Sequence, residues 1–237
     1  MMNTKRFKPR AGSLSKSKNT LIVSATQGNS FESTPLFRSL CEQGYDGDVS
    51  LVTNNKLGLC KLYNKYIDSS YDAIFFIHDD VYIDSVNFVD KAFAGFKQFD
   101  VIGLAGGSNI KIEKPLLWHL MTNKDTWSGV VSHKVQNNTF LPTTFGPIGR
   151  PVILLDGLFL GVQPKKLKEK NVRFDEKIKG FHHYDLKFCV DCFQADLKLG
   201  TVPIHVVHES PGLREFSNSF KESEEYFYQQ LKSYVKQ

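Results

Sequence analysis

The sequence contains no apolar run of the roughly 18–20 residues that crossing a bilayer requires, so no transmembrane helix is expected. Its polar, basic amino terminus has no apolar segment behind it, so no secretory signal peptide is expected. Only four of its 237 residues are cysteine. That is too few for a disulfide framework in a chain of this size and points to a reducing, cytoplasmic setting. There is no internal repeat. Gly103-Leu-Ala-Gly106-Gly107 lacks the spacing of a dinucleotide fingerprint. An early phosphate loop rich in Gly and Lys is also missing, and Gln27-Gly28-Asn29 is a poor substitute for one. With 41% apolar and 23% charged residues, the chain is neither collagen-like, mucin-like nor globally disordered.

Acidic residues are absent from the first eighteen positions, which carry Lys5, Arg6, Lys8, Arg10, Lys16 and Lys18. The whole chain is +5, so everything after this segment is close to neutral. The basic character belongs to a tail rather than to a fold, and no nucleic-acid partner is expected. Residues 1–19 read as a solvated, disordered leader, with peripheral contact to an anionic membrane as the functional alternative.

From Thr20 the pattern changes to apolar runs alternating with helical spacings. Strands are expected at Thr20–Thr26, Asp48–Thr53, Ala73–Ile77 and Val101–Ala105. Helices are expected between them at Ser33–Gly44, Leu57–Ile67 and Phe88–Phe99. This βαβαβαβ order predicts a mostly parallel sheet covered by helices, a three-layer α/β/α domain over residues 20–215. Ligands of such sheets sit beyond the carboxyl ends of the strands. Asn109–Gly149 reads as irregular, with a hairpin near Val130–Val135. Further strands are expected at Pro151–Leu155 and Thr201–Val207, a helix at His183–Leu199, and an amphipathic helix within residues 216–237. Cys189 and Cys192 have CxxC spacing inside a helix without a second pair, and read as core thiols.

The chemistry gathers at strand ends. Ile77-His78-Asp79-Asp80-Val81 sets two adjacent carboxylates after an apolar strand, costly to bury unless a cation compensates. Oxygen ligands of this kind suit Mg²⁺ or Mn²⁺ carrying a diphosphate. Asp156-Gly157 follows another apolar run, and Gly157 permits close approach of a ligand. Asp185 stands at the start of a helix, where the dipole favours a carboxylate. His208 ends the last strand, and a neutral imidazole there can complete a metal shell.

In order and spacing these segments resemble the GT-A glycosyltransferases of the family-2-like type. The likeness is greatest to the small branch that includes a streptomycin-biosynthesis protein. It is carried by Asn54–Leu59, Tyr63-Asn64, Phe76–Val81, Asp156–Phe159, Phe174-Asp175-Glu176, Gly180–Asp185 and His208, and runs from about Thr20 to Gly212. The resemblance implies that Asp80 and His208 are metal ligands and that Asp79 lies nearer the ribose or sugar. It places Ala25 and Thr26 at the nucleotide, Asn54 or Asn55 at the base with Lys61 nearby, and Asp156 and Gly157 between donor sugar and acceptor. Asp185 matches the catalytic base of inverting members. His78 stands where many relatives carry another Asp, and Tyr184 replaces the usual Glu.

A nucleotide-sugar donor, a divalent cation and a glycan, lipid-linked or small-molecule acceptor are the implied partners, with transfer of a hexose-like sugar. Two other readings stay open at this point: a non-catalytic sugar-nucleotide-binding module and a metal-dependent nucleotidyltransferase.

Overall fold

Ala73–Ile77 is wholly buried, and an all-apolar strand of this kind needs neighbours on both edges and both faces. In the computed structural model, which describes residues 3–6, 18–56, 58–135, 139–210 and 216–235, it is the fourth of fourteen strands. The strands before it are β1 (Asn3–Arg6), β2 (Thr20–Ala25) and β3 (Asp48–Val52), with β4 being Ala73–Ile77 itself. They are followed by β5 (Val81–Ile83), β6 (Val101–Gly103), β7 (Ala105–Gly107), β8 (Trp127–Lys134) and β9 (Phe140–Gly146). The series ends with β10 (Pro151–Val152), β11 (Leu154–Leu155), β12 (Phe159–Val162), β13 (Leu199–Thr201) and β14 (Val206–His208). The helices are α1 (Pro35–Gln43), α2 (Leu59–Ile67), α3 (Phe88–Gly95), α4 (Pro164–Glu169), α5 (Tyr184–Gln194) and α6 (Asn218–Val235).

The main sheet has the order β1-β3-β2-β4-β12-β6-β13-β10. Strands β3, β2, β4, β6 and β13 run one way, and β1, β12 and β10 run against them. The expected α/β class holds, and the sheet is mixed: five of its eight strands share one direction, with β12 inserted antiparallel between β4 and β6. A smaller sheet, β11-β7-β8-β14-β5 with β9 on β8, stands beside it.

Three runs expected to be single strands are each divided between the two sheets. Val101–Ala105 breaks at Leu104, whose carbonyl accepts from Val130 of the smaller sheet. Pro151–Leu155 breaks at Ile153, whose amide donates to Gly107. Thr201–Val207 breaks at Pro203, which has no amide to give a ladder. Close packing at these crossings needs glycine: a Cβ on Gly106 would lie 2.0 Å from the Leu154 carbonyl oxygen.

The helix ends follow local chemistry. Thr34 caps α1 by accepting from the Phe37 amide, Pro35 starts it, and left-handed Gly44 closes it. Within the segment read as a leader, Asn3–Arg6 pair antiparallel with Asp48–Leu51 at the sheet edge. Residues 7–17 of that leader lie outside the described residues. Helix α6 is amphipathic as expected, and its Phe220, Phe227 and Leu231 are buried. Cys189 and Cys192 are buried free thiols, in keeping with the core reading. Among the described residues no helix is long and apolar enough to cross a membrane.

Candidate active site

Strand β4 delivers His78, Asp79 and Asp80 to the sheet's carboxyl edge as a tight turn, with the Val81 amide bonding back to the His78 carbonyl at 3.3 Å. The chain then enters the smaller sheet as β5, where Val81 is the register partner of His208. That pairing brings His208 Nε2 to 3.3 Å from Asp80 Oδ1. Asp80 Oδ1 is shut off from solvent and receives no aligned hydrogen bond. Burial works to raise the Asp80 carboxyl, but His208 and His78 outweigh it and hold it below the ordinary value. Burial works to lower His208, and Asp80 more than reverses that. One donor atom from each of His78, Asp80 and His208 lies within 4.8 Å of the others. His78 is thus a third member of a cluster in which the sequence pointed to Asp80 and His208.

Asp185 sits in the first turn of α5 behind His183, a left-handed residue at φ 61°. Its Oδ2 accepts from the Gly157 amide at 2.9 Å. Burial first, and the neighbouring Asp156 second, push its carboxyl up to about 7 despite the amides that favour the charge. Asp156 is held by Trp118 Nε1 at 2.9 Å and by the Leu158 amide at 3.1 Å. Gly157 is obligatory here, because a Cβ would lie 2.4 Å from Tyr184 Oη and 2.7 Å from Asp185 Cβ.

Two cavities meet at this edge. One of about 480 Å³ is lined by Ala25–Gly28, Leu59, Tyr63, Asp79 and Asp80. A second of about 200 Å³ is lined by Leu116–His119, Asp156 and Asp185. His78, Phe181 and His182 line both.

Of the remaining expected residues, Ala25 and Thr26 line the larger cavity, while Asn54, Asn55 and Lys61 line neither. The amides of Asn54 and Asn55 instead donate to the carbonyls of Gly28 and Thr26, which fixes the loop that forms the cavity wall. Lys61 is exposed on α2. Trp118, His119 and His182 were missed by sequence reasoning. The first two lie in the stretch without periodicity, and no residue pattern there marks a wall. His133 was missed as well. It is the β8 register partner of His208, with ring centroids 5.8 Å apart.

The carboxyl-terminal helix reaches the same edge. Glu224 Oε1 accepts from the Leu116 amide at 2.8 Å, and Ser223 Oγ bonds His183 Nδ1 at 2.8 Å. Burial lowers His183 to about 4.

Residues 22–234 match the family described as "Glycosyltransferase like family". Among solved structures, the catalytic domain of Drosophila beta1,4-galactosyltransferase 7 in complex with xylobiose aligns with a TM-score of 0.52 at 13% identity, over 88% of this chain and 80% of that one. The protein A197 from STIV aligns with a TM-score of 0.47 at 12% identity, over 84% of this chain and 98% of that one. S. aureus TarS aligns with a TM-score of 0.45 at 13% identity, over 87% of this chain and 38% of that one. No curated protein sequence matches.

Proposed function

The chain belongs to the glycosyltransferase-like family, with the GT-A-like fold expected of it, and from that premise we propose an inverting transfer of a hexose-like sugar from a nucleotide-sugar donor to an acceptor hydroxyl. The observation that carries this reading is the pair of cavities sharing His78. The larger has the strand-end loop and the Asp79-Asp80 turn that a nucleoside diphosphate needs. The smaller holds the half-buried Asp185 carboxylate at its wall.

Asp185 is the base in this reading. An acceptor hydroxyl is a weak nucleophile until its proton is taken, and a carboxyl raised to about 7 is matched to that task near neutral pH. The Gly157 amide holds it in place, and the neighbouring Asp156 helps keep its carboxyl raised. Trp118 and His119 form the acceptor side, which takes a glycan, lipid-linked or small-molecule hydroxyl. Asp79 faces the ribose or sugar, with Ala25 and Thr26 against the nucleotide.

His78, Asp80 and His208 would hold a divalent cation. Two imidazoles with one carboxylate suit Mn²⁺ better than Mg²⁺, which prefers an all-oxygen shell. The unbonded, solvent-excluded Asp80 Oδ1 fits a cation partner. When bound, the ion neutralises charge developing on the departing diphosphate. A cytoplasmic setting, with the basic amino-terminal segment able to meet anionic lipid, is part of the reading.

The test begins with the melting temperature of the full chain against UDP, GDP, CDP and dTDP, each with Mn²⁺ and with chelator. A nucleotide at about 100 times its Kd adds roughly 2.7 kcal/mol, a shift of several degrees. One nucleotide should give that shift only with Mn²⁺, and its sugar conjugate should be turned over. Asp185→Asn should keep the shift and lose transfer by at least about a hundredfold. Transfer at near-normal rate in that variant sinks the assignment of the base.

A further inference from the structure

Tyr184 has one hydroxyl proton and three polar neighbours, the Gly157 carbonyl, His78 and the Tyr63 hydroxyl, which can itself donate to the Tyr184 oxygen. Its Oη lies 2.9 Å from the Gly157 carbonyl oxygen and 2.8 Å from His78 Nε2. A carbonyl only accepts, so Tyr184 is the donor in the first contact. Its single proton is then committed, and in the second contact the phenol oxygen must accept. Turning the proton towards His78 would strip a buried carbonyl of this donor, which a folded interior resists. The phenol has little freedom to do otherwise. Its ring is 2% exposed and is wedged among Tyr63 and Phe174, with centroids at 5.6 and 6.2 Å.

A neutral imidazole carries its proton on one nitrogen only. If His78 donates from Nε2, its lone pair resides on Nδ1. We infer that Tyr184 is a positioning residue that locks His78 in the Nε2–H tautomer, leaving Nδ1 as the ring atom offered to a cation beside Asp80 and His208. The inference rests on the cation reading given above for the same site. It gives Tyr184 a role of its own, apart from donor or acceptor contact. The phenol ties the metal side of the site to Gly157, whose amide holds Asp185. One backbone unit thereby sets both the base and a prospective ligand.

The experiment has two arms on the full chain. The first uses ¹⁵N-histidine-labelled protein without metal, with His78 assigned by loss of its signals in His78→Gln. Two-bond ¹H–¹⁵N spectra should show a protonated Nε2 and an unprotonated Nδ1 in the wild type, and a mixture of tautomers in Tyr184→Phe. A wild-type ring protonated on Nδ1 overturns the inference without recourse to any variant. The second arm follows free Mn²⁺ by electron paramagnetic resonance. Losing the outer partner of a metal-binding histidine typically costs 10–100-fold in affinity, so Tyr184→Phe should weaken Mn²⁺ binding by about tenfold or more. Undiminished binding in Tyr184→Phe overturns the role of Tyr184 alone. Failure of the wild type to bind Mn²⁺, with the expected tautomer present, overturns the cation reading and with it the offered Nδ1.

Discussion

His208 Nε2 stands 3.3 Å from Asp80 Oδ1 because Val81 and His208 are register partners across β5 and β14. Asp80 and His208 are 128 positions apart in the chain, and a short antiparallel ladder in the smaller sheet is what makes them neighbours.

Gly157→Ala should be among the most damaging small changes available. The added methyl meets Tyr184 Oη at 2.4 Å and the Asp185 side chain at 2.7–2.8 Å, the first buried and the second half-buried. Overpacking of this sort costs about 1–3 kcal/mol. Denaturant unfolding should report that loss, and transfer should fall further than stability alone explains. Wild-type transfer in a stably folded Gly157→Ala would contradict the close approach of Gly157 to Tyr184 and Asp185.

Asp185 sets a pH window of definite sign. Its carboxyl is raised to about 7, against about 4 for an ordinary aspartate. Between those values the folded chain keeps a proton that the unfolded chain releases. The stability tied to that proton is present at acid pH and falls as pH rises towards 7. The base form appears over the same range, so transfer should climb through about pH 7 and level off above it. Asp185→Asn should melt higher than the wild type at about pH 8, with the difference shrinking towards about pH 5. A transfer rate and a melting difference both flat over that range would refute the assignment.

Glu224 tests the carboxyl-terminal helix. Its Oε1 is the acceptor for the buried Leu116 amide at 2.8 Å, next to Trp118 on the wall of the smaller cavity. Glu224→Ala leaves that amide unpaired, at a cost of about 1–3 kcal/mol, whereas Glu224→Gln keeps an acceptor. The alanine variant should lose stability and raise the acceptor KM, with nucleotide binding unchanged. The glutamine variant should recover most of both. Equal behaviour of the two would mean that Glu224 acts through packing rather than through the hydrogen bond.

Much of the frame was legible from residues alone, for a physical reason. Ala73–Ile77 is apolar at every position because both of its faces are covered, and Thr34-Pro35 with Gly44 marks α1 because caps are local chemistry. Helix α5 begins at Tyr184 and puts Asp185 in its first turn, as the sequence indicated. The Asp79-Asp80 turn after β4 was visible for the same reason: strand periodicity stops where polar residues begin.

What the sequence could not decide was which strand lies beside which. Leu104, Ile153 and Pro203 each mark a point where one apolar run passes from one sheet to the other, and burial alone does not distinguish two apolar neighbours. The insertion of β12 between β4 and β6, and the pairing of β5 with β14, are set by packing over the whole domain. The β5–β14 pairing brings His208 to Asp80 and His78, and the cavity wall at Trp118 is tied to the same edge through Asp156. The residue types and their places at strand ends belonged to the sequence. Their convergence belonged to the tertiary structure, because only long-range register decides which strand ends share an edge.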